Sequence, residues 1–325
     1  MYTILAISLL IAIFLIDKRH RTANPSFTIE RTSILKALLP FIIILGHCSL
    51  IFGGCRDFTK TGALVVAIFF FISGYGLQVK HEKQQLNCRY LKKRIIKLFV
   101  PIAVPAITFA FLLYSLDQNN FLSFYTNYKS WNILLPFTWF VTKLIVLYIL
   151  FFISIKIRNH YLPPTICIVI EIILLDFILI YNHTSGHIYI SDAAFVGGIW
   201  FRQFENKIVK HTILISMTCL VITSLMMPFS SSGLVYMAII TLVSLAIPAL
   251  LCNMKIKNSA ITRHLSGISY ELYLCQGIAF IIVRHFSAPL WVLYLSAFGI
   301  TYITAIVCHG ITLYLQKIST TQIKL

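Results

Sequence analysis

Eleven apolar segments of helix length divide this chain, at 2–16, 34–52, 61–79, 95–115, 139–155, 163–181, 186–201, 211–227, 234–251, 267–283 and 289–314. A bilayer core takes about 20 apolar residues to cross as a helix. Several of these segments fall a little short of that, and the last reads as a tilted helix that emerges from the membrane. With 58% hydrophobic and 11% charged residues, a water-soluble domain is excluded. The reading is an all-α, polytopic membrane helical bundle. Residues 1–28 form an N-terminal transmembrane helix and a basic linker, and residues 29–325 a single membrane domain. Segment 2–16 lacks a basic region before it and a small-residue cleavage site, so it reads as an uncleaved helix and not as a signal peptide.

A formal net charge of +17 invites a nucleic-acid reading, but its distribution argues otherwise. Taking the most basic loop, 80–94, as cytoplasmic and alternating sides leaves only Arg56, Lys60, Lys129 and Arg284 outside. Lys143 falls within a span, and the other 22 Lys and Arg lie at the cytoplasmic face. That asymmetry is the positive-inside pattern. It predicts an N-terminus outside, a C-terminus in the cytoplasm and a lipid bilayer, not nucleic acid, as the surroundings.

Ionisable residues inside a membrane are unfavourable and face a cavity or a partner. On the predicted topology His47, Lys143, Asp176 and Asp192 share one depth, about five residues or ~8 Å below the outer surface. Lys143 is expected to pair with Asp176 or Asp192, and His47 to face the same cavity. Lys36 precedes His47 by eleven residues on the same helix. That is three turns plus ~20°, so both lie on one face about 16 Å apart. From the residues alone, a lone histidine is better explained by a structural hydrogen bond to a neighbouring helix. His183 and His187, with Asp192 beyond, sit in a turn of uncertain geometry, and no metal is expected there.

Lys36–x10–His47, Gly62 with Phe69-Phe70-x-x-Ser73-Gly74-Tyr75, the basic run with Arg94, Lys97 and Pro101, Trp139-Phe140, and Ile268-Ser269-Tyr270 with Tyr273-Leu274 occur in that order. Over about residues 29–315 the chain thereby resembles the acyltransferase-3 family of integral-membrane O-acyltransferases. The resemblance implies a ten-helix core, preceded here by one extra helix. It further implies transfer of an acyl group, most simply acetyl, from cytoplasmic acyl-CoA to a hydroxyl of a cell-surface polysaccharide, its lipid-linked precursor or a glycolipid. His47 would be the general base, since neutral imidazole titrates near neutrality. Lys36, Arg94 and Lys97 would contact the donor phosphates. Phe69, Phe70, Ser73, Tyr75, Trp139, Lys143, Asp176 and Asp192 would line the pocket. Acyl-CoA enters as a co-substrate, and no other cofactor is expected. The setting would be the plasma or inner membrane.

The chain departs from the family pattern at Ser33 (aspartate), Lys36 (arginine), Val65 (glycine) and Gln276 (histidine). Lysine keeps the charge but lacks arginine's planar fork of donors, so an impaired, binding-only member is one alternative. A transporter or flippase for a lipid-linked sugar or anion is the other. It would place polar residues at both depths of many helices, whereas here they gather in the outer third.

Overall fold

The computed structural model describes residues 7–8, 11, 26–54, 58–117, 131–132, 134–156, 164–255 and 259–322. Apart from three positions, the expected first span at 2–16 lies outside the described residues. The described chain is helical, without strands. Its principal helices are α1 (Ile29–Phe52), α2 (Thr61–Glu82), α3 (Cys88–Leu116), α4 (Trp139–Lys156), α5 (Pro164–Tyr181), α6 (Ala193–Gln203), α7 (Thr212–Met226), α8 (Gly233–Leu251), α9 (Ala260–Gly267), α10 (Ser269–Val283) and α11 (Leu290–Gln322). Eight helices among the described residues are long and apolar enough to cross a membrane; α9 and α10, bent by 61° at their junction, make a ninth if taken together. Large side chains such as Ile107, Leu214 and Leu225 stay exposed on the outside of these helices, as a hydrocarbon solvent permits and water does not. The protein is a polytopic membrane helical bundle.

One expected span differs. The apolar run 186–201 begins with a single 3-10 turn, Gly186–Ile188, and only then enters the 11-residue helix α6. At 1.5 Å per residue, α6 reaches about 16 Å, half a bilayer core. Its apolar residues serve packing: Ile190 and Ala194 cluster with Ala67 and Ile240.

The chain forms two compact units. The first gathers residues 1–35, 60–91 and 144–259; the second gathers 36–59, 92–143 and 260–325.

In the first unit α2 and α6 approach to backbone contact. A Cβ added to Gly74 would land on the carbonyl oxygen of Phe195, and one added to Gly198 on that of Phe71. With no hydrophobic drive between helices in lipid, such bare surfaces supply the van der Waals contact that holds helices together. Ser191 Oγ donates to the Ala63 carbonyl at 2.9 Å. A polar network ties the ends of these helices to the chain ahead of α1. Glu205 accepts from the Phe27 backbone N–H at 3.0 Å, the Tyr75 hydroxyl at 2.9 Å and Arg202 at 2.6 Å. Arg202 also pairs with Glu82 at 2.7 Å. The Phe27 ring stands edge-on to Phe71, Tyr75 and Phe201.

In the second unit α10 packs on α11 through Ile268, Leu272, Cys275, Ala305 and Cys308. The buried Glu271 carboxylate meets His309 Nδ1 at 2.9 Å. Asp117, just past α3, pairs with Arg284.

The glycine contacts predict a contrast. Gly74→Ala and Gly198→Ala should each destabilise the protein by about 1–3 kcal/mol, the range for overpacking a close contact. Gly76→Ala, two residues from Gly74 with open space before it, should be neutral. Thermal melting of the detergent-solubilised variants, followed by size-exclusion chromatography, measures the difference.

Candidate functional site

The second unit contains His47, Lys36, Arg94, Lys97, Trp139 and Lys143. The first contains Phe69, Phe70, Ser73, Tyr75, Asp176 and Asp192. The residues expected to act on the acyl group and its donor thus belong to one unit, and most of those expected to line a pocket to the other.

His47 is in the last turns of α1 and α10 holds it. Its Nδ1 lies 2.8 Å from Oε1 of Gln276, a residue 229 positions away in the chain and wholly buried. The Phe137 ring stacks on the imidazole, with centroids 4.0 Å apart and planes 20° from parallel. Phe280, one turn beyond Gln276 on α10, stands edge-on to both rings.

Phe137 reaches His47 from a tight loop before α4. Both Leu134 (φ 58°) and Phe137 (φ 67°) adopt left-handed backbone conformations. These cost roughly 1–2 kcal/mol for a residue with a side chain and persist only where neighbours enforce them. Here the Tyr273 hydroxyl donates to the Phe137 carbonyl, and the Tyr273 ring packs edge-on against Phe140 at 4.3 Å. Gly277 leaves room for the loop, since a Cβ there would come within 2.7 Å of Pro136 Cγ. Trp139 opens α4, its backbone N–H donating to Asn132 Oδ1 at 3.0 Å. Lys143 is fully buried, its ammonium 5.4 Å from the centroid of the Trp131 ring, a cation–π distance.

Lys36 is on α1, eleven residues before His47 and so about 16 Å from it along the axis. Arg94, on α3, is close enough for its charge to act on Lys36. Lys97 follows one turn later and is exposed. Tyr270 joins α10 to α3 at this point, its hydroxyl donating to the Leu98 carbonyl at 2.7 Å.

In the first unit Phe70 is fully buried and Phe69 partly so. Ser73 lies 3.4 Å from the Tyr148 hydroxyl, and Tyr75 belongs to the Glu205–Arg202 network. Asp192 is fully buried at the start of α6. Asp176 lines a cavity of about 450 Å³ together with His187, Tyr189, Ser232 and Tyr236. Among the described residues no group of three or more His, Cys, Asp or Glu could hold a metal.

Sequence reasoning marked Gln276 only as a departure and overlooked Phe137, Trp131 and Phe280. The positive-φ loop carries no glycine to betray it, and the glutamine gains meaning only from the histidine opposite.

A helical membrane bundle thus presents a half-buried histidine in the same unit as Lys36, Arg94 and Lys97. Residues 32–310 match the model of the acyltransferase-3 family, described as an acyltransferase domain. The chain belongs to that family, and it is a multi-pass membrane acyltransferase. No curated protein and no solved structure matches it.

The anchoring of Phe137 yields a prediction. Tyr273→Phe keeps the ring contact with Phe140 and removes only the hydrogen bond. It should lower acyl transfer about tenfold, the worth of one hydrogen bond, while the protein remains folded. Initial rates beside a melting curve test it; an unchanged rate would separate the Phe137 loop from the chemistry.

Proposed function

We propose that this protein moves an acyl group, most simply acetyl, from cytoplasmic acyl-CoA to a hydroxyl of a cell-surface polysaccharide, its lipid-linked precursor or a glycolipid. The observation that carries the reading is the shared placement of His47, Lys36 and Arg94. One helix bears the histidine and the first cation about 16 Å apart, and the second cation, on α3, is near enough for its charge to act on the first.

The chemistry follows from those positions. CoA is cytoplasmic and polyanionic, so Lys36, Arg94 and Lys97 attract and hold its phosphates. The pantetheine arm spans the distance to His47 and presents the thioester there. His47 takes the proton of the acceptor hydroxyl as that oxygen attacks the thioester carbonyl carbon. The C–S bond breaks, the ester C–O bond remains, and the CoA thiolate leaves to be protonated. The acceptor arrives from the outer side, toward which His47 is displaced. Phe69, Phe70, Ser73, Tyr75, Trp139, Lys143, Asp176 and Asp192 are the pocket residues in this reading. The setting is the plasma or inner membrane, with the N-terminus outside and the C-terminus in the cytoplasm.

His47→Ala should depress acyl transfer by ~10²–10⁴-fold, the usual loss with a general base, with insertion unaffected. Lys36→Ala should instead raise KM for acyl-CoA with kcat little changed, the signature of lost donor binding. Lys36→Arg should bind the donor at least as well as the parent. Acyl-CoA turnover by purified protein in detergent or nanodiscs reads all three. Parent-rate transfer by His47→Ala would remove the histidine from the mechanism.

Topology has its own test. Cys88 is exposed in the basic segment assigned to the cytoplasm. A membrane-impermeant maleimide should modify it only after cells are permeabilised, with Cys88→Ser as the control. Modification of Cys88 in intact cells would invert the topology.

A further inference from the structure

Among the described residues Gln276 is the polar side chain that meets His47, and its placement fixes more than the position of the ring. A neutral imidazole carries one N–H and one bare nitrogen, and a hydrogen-bond partner on one side decides which is which. The atom 2.8 Å from His47 Nδ1 is the amide oxygen of Gln276, which only accepts. With the amide oxygen facing the ring, Nδ1 would carry the hydrogen and Nε2, across the ring, the lone pair. We propose that Gln276 is a positioning residue for acyl transfer: its amide oxygen accepts the His47 Nδ1–H and so makes Nε2 the atom that takes the acceptor proton. This rests on the reading of His47 as the general base.

Three observations support the assignment. First, Gln276 is wholly buried among apolar residues of α10, where a leucine or methionine would be cheaper in a membrane. Its Nε2 finds no acceptor among the described residues, so half of the amide's hydrogen-bonding capacity is sacrificed. Second, the same stretch of α10 sets the face of the ring as well as its edge. Tyr273, one turn before Gln276, anchors the carbonyl of Phe137, and Phe137 stacks on the imidazole. Nδ1 and one ring face are thus both fixed from α10. Third, the orienting group is neutral. In serine hydrolases a carboxylate performs this task and also stabilises the imidazolium. A carboxylate enclosed here would bear a desolvation penalty of several kcal/mol, whereas an amide orients the ring without a buried charge.

Two measurements on the full-length protein in nanodiscs test this. ¹⁵N spectra of histidine-labelled protein, with the His47 signals assigned by their loss in His47→Gln, report the tautomer without any turnover. Nδ1 should be protonated and Nε2 bare. Kinetics then separate positioning from packing. Gln276→Met, similar in size and lacking the acceptor, should lower kcat about tenfold with KM for acyl-CoA unchanged. The ¹⁵N spectrum of Gln276→Met should in addition lose the preference for the Nδ1–H tautomer, which a change of packing alone would not move. An Nε2–H tautomer in the parent protein overturns the proposal, as does parent kcat in Gln276→Met. A parent protein that shows the Nδ1–H tautomer yet transfers no acyl group defeats the reading of His47 as base, and the proposal with it, before any Gln276 variant is made.

Discussion

Hydrocarbon offers no hydrogen-bond partner, and every polar group placed in it must find one within the protein. This constraint explains where the polar side chains of this acyltransferase meet. Glu205 collects a backbone N–H, a tyrosine hydroxyl and an arginine. Glu171 accepts from Ser154 at 2.9 Å, and Glu271 meets His309. His47 meets Gln276. The Glu171–Ser154, Glu271–His309 and His47–Gln276 contacts also tie one helix to another. The polar residues that make chemistry conceivable are therefore among those that specify the fold.

The two units meet the same constraint by different means. In the first, small residues let α2 and α6 come together backbone to backbone, and the helices exclude one another's side chains at Gly74 and Gly198. In the second, aromatic rings do the filling. Phe137, Phe280 and Phe52 surround the end of α1, and Tyr270 and Tyr273 reach from α10 to backbone carbonyls of α3 and of the loop before α4. Glycine contacts make a rigid joint. Rings with hydroxyl handles leave an irregular surface around His47.

The helical bundle was legible in the sequence because hydropathy is strong and additive over a span. His47 and the basic run of α3 stood out for the same reason, as polar residues against an apolar ground. Segment 186–201 misled because an apolar run reports exclusion of water, whether by lipid or by protein. Ile190 and Ala194 are shielded by Ala67 and Ile240 and do not need a spanning helix. Phe137 was invisible for another reason. Phenylalanine is ordinary in a membrane protein, and its left-handed backbone follows from Tyr273, 136 residues later. Gln276 could be noticed as a residue but not as a partner, since the pairing crosses most of the chain. What a sequence states locally could be read; what depends on two distant segments meeting could not.

The left-handed conformation of Phe137 sets two pressures against each other at one position. Glycine adopts that backbone without strain, so drift toward greater stability would favour losing the ring. The stacked imidazole favours keeping it. If His47 acts as proposed, a glycine at 137 among descendants of this chain would mark lineages in which it is no longer used, and an aromatic residue there lineages in which it still is. One backbone angle thus becomes a record of whether the histidine has remained under selection.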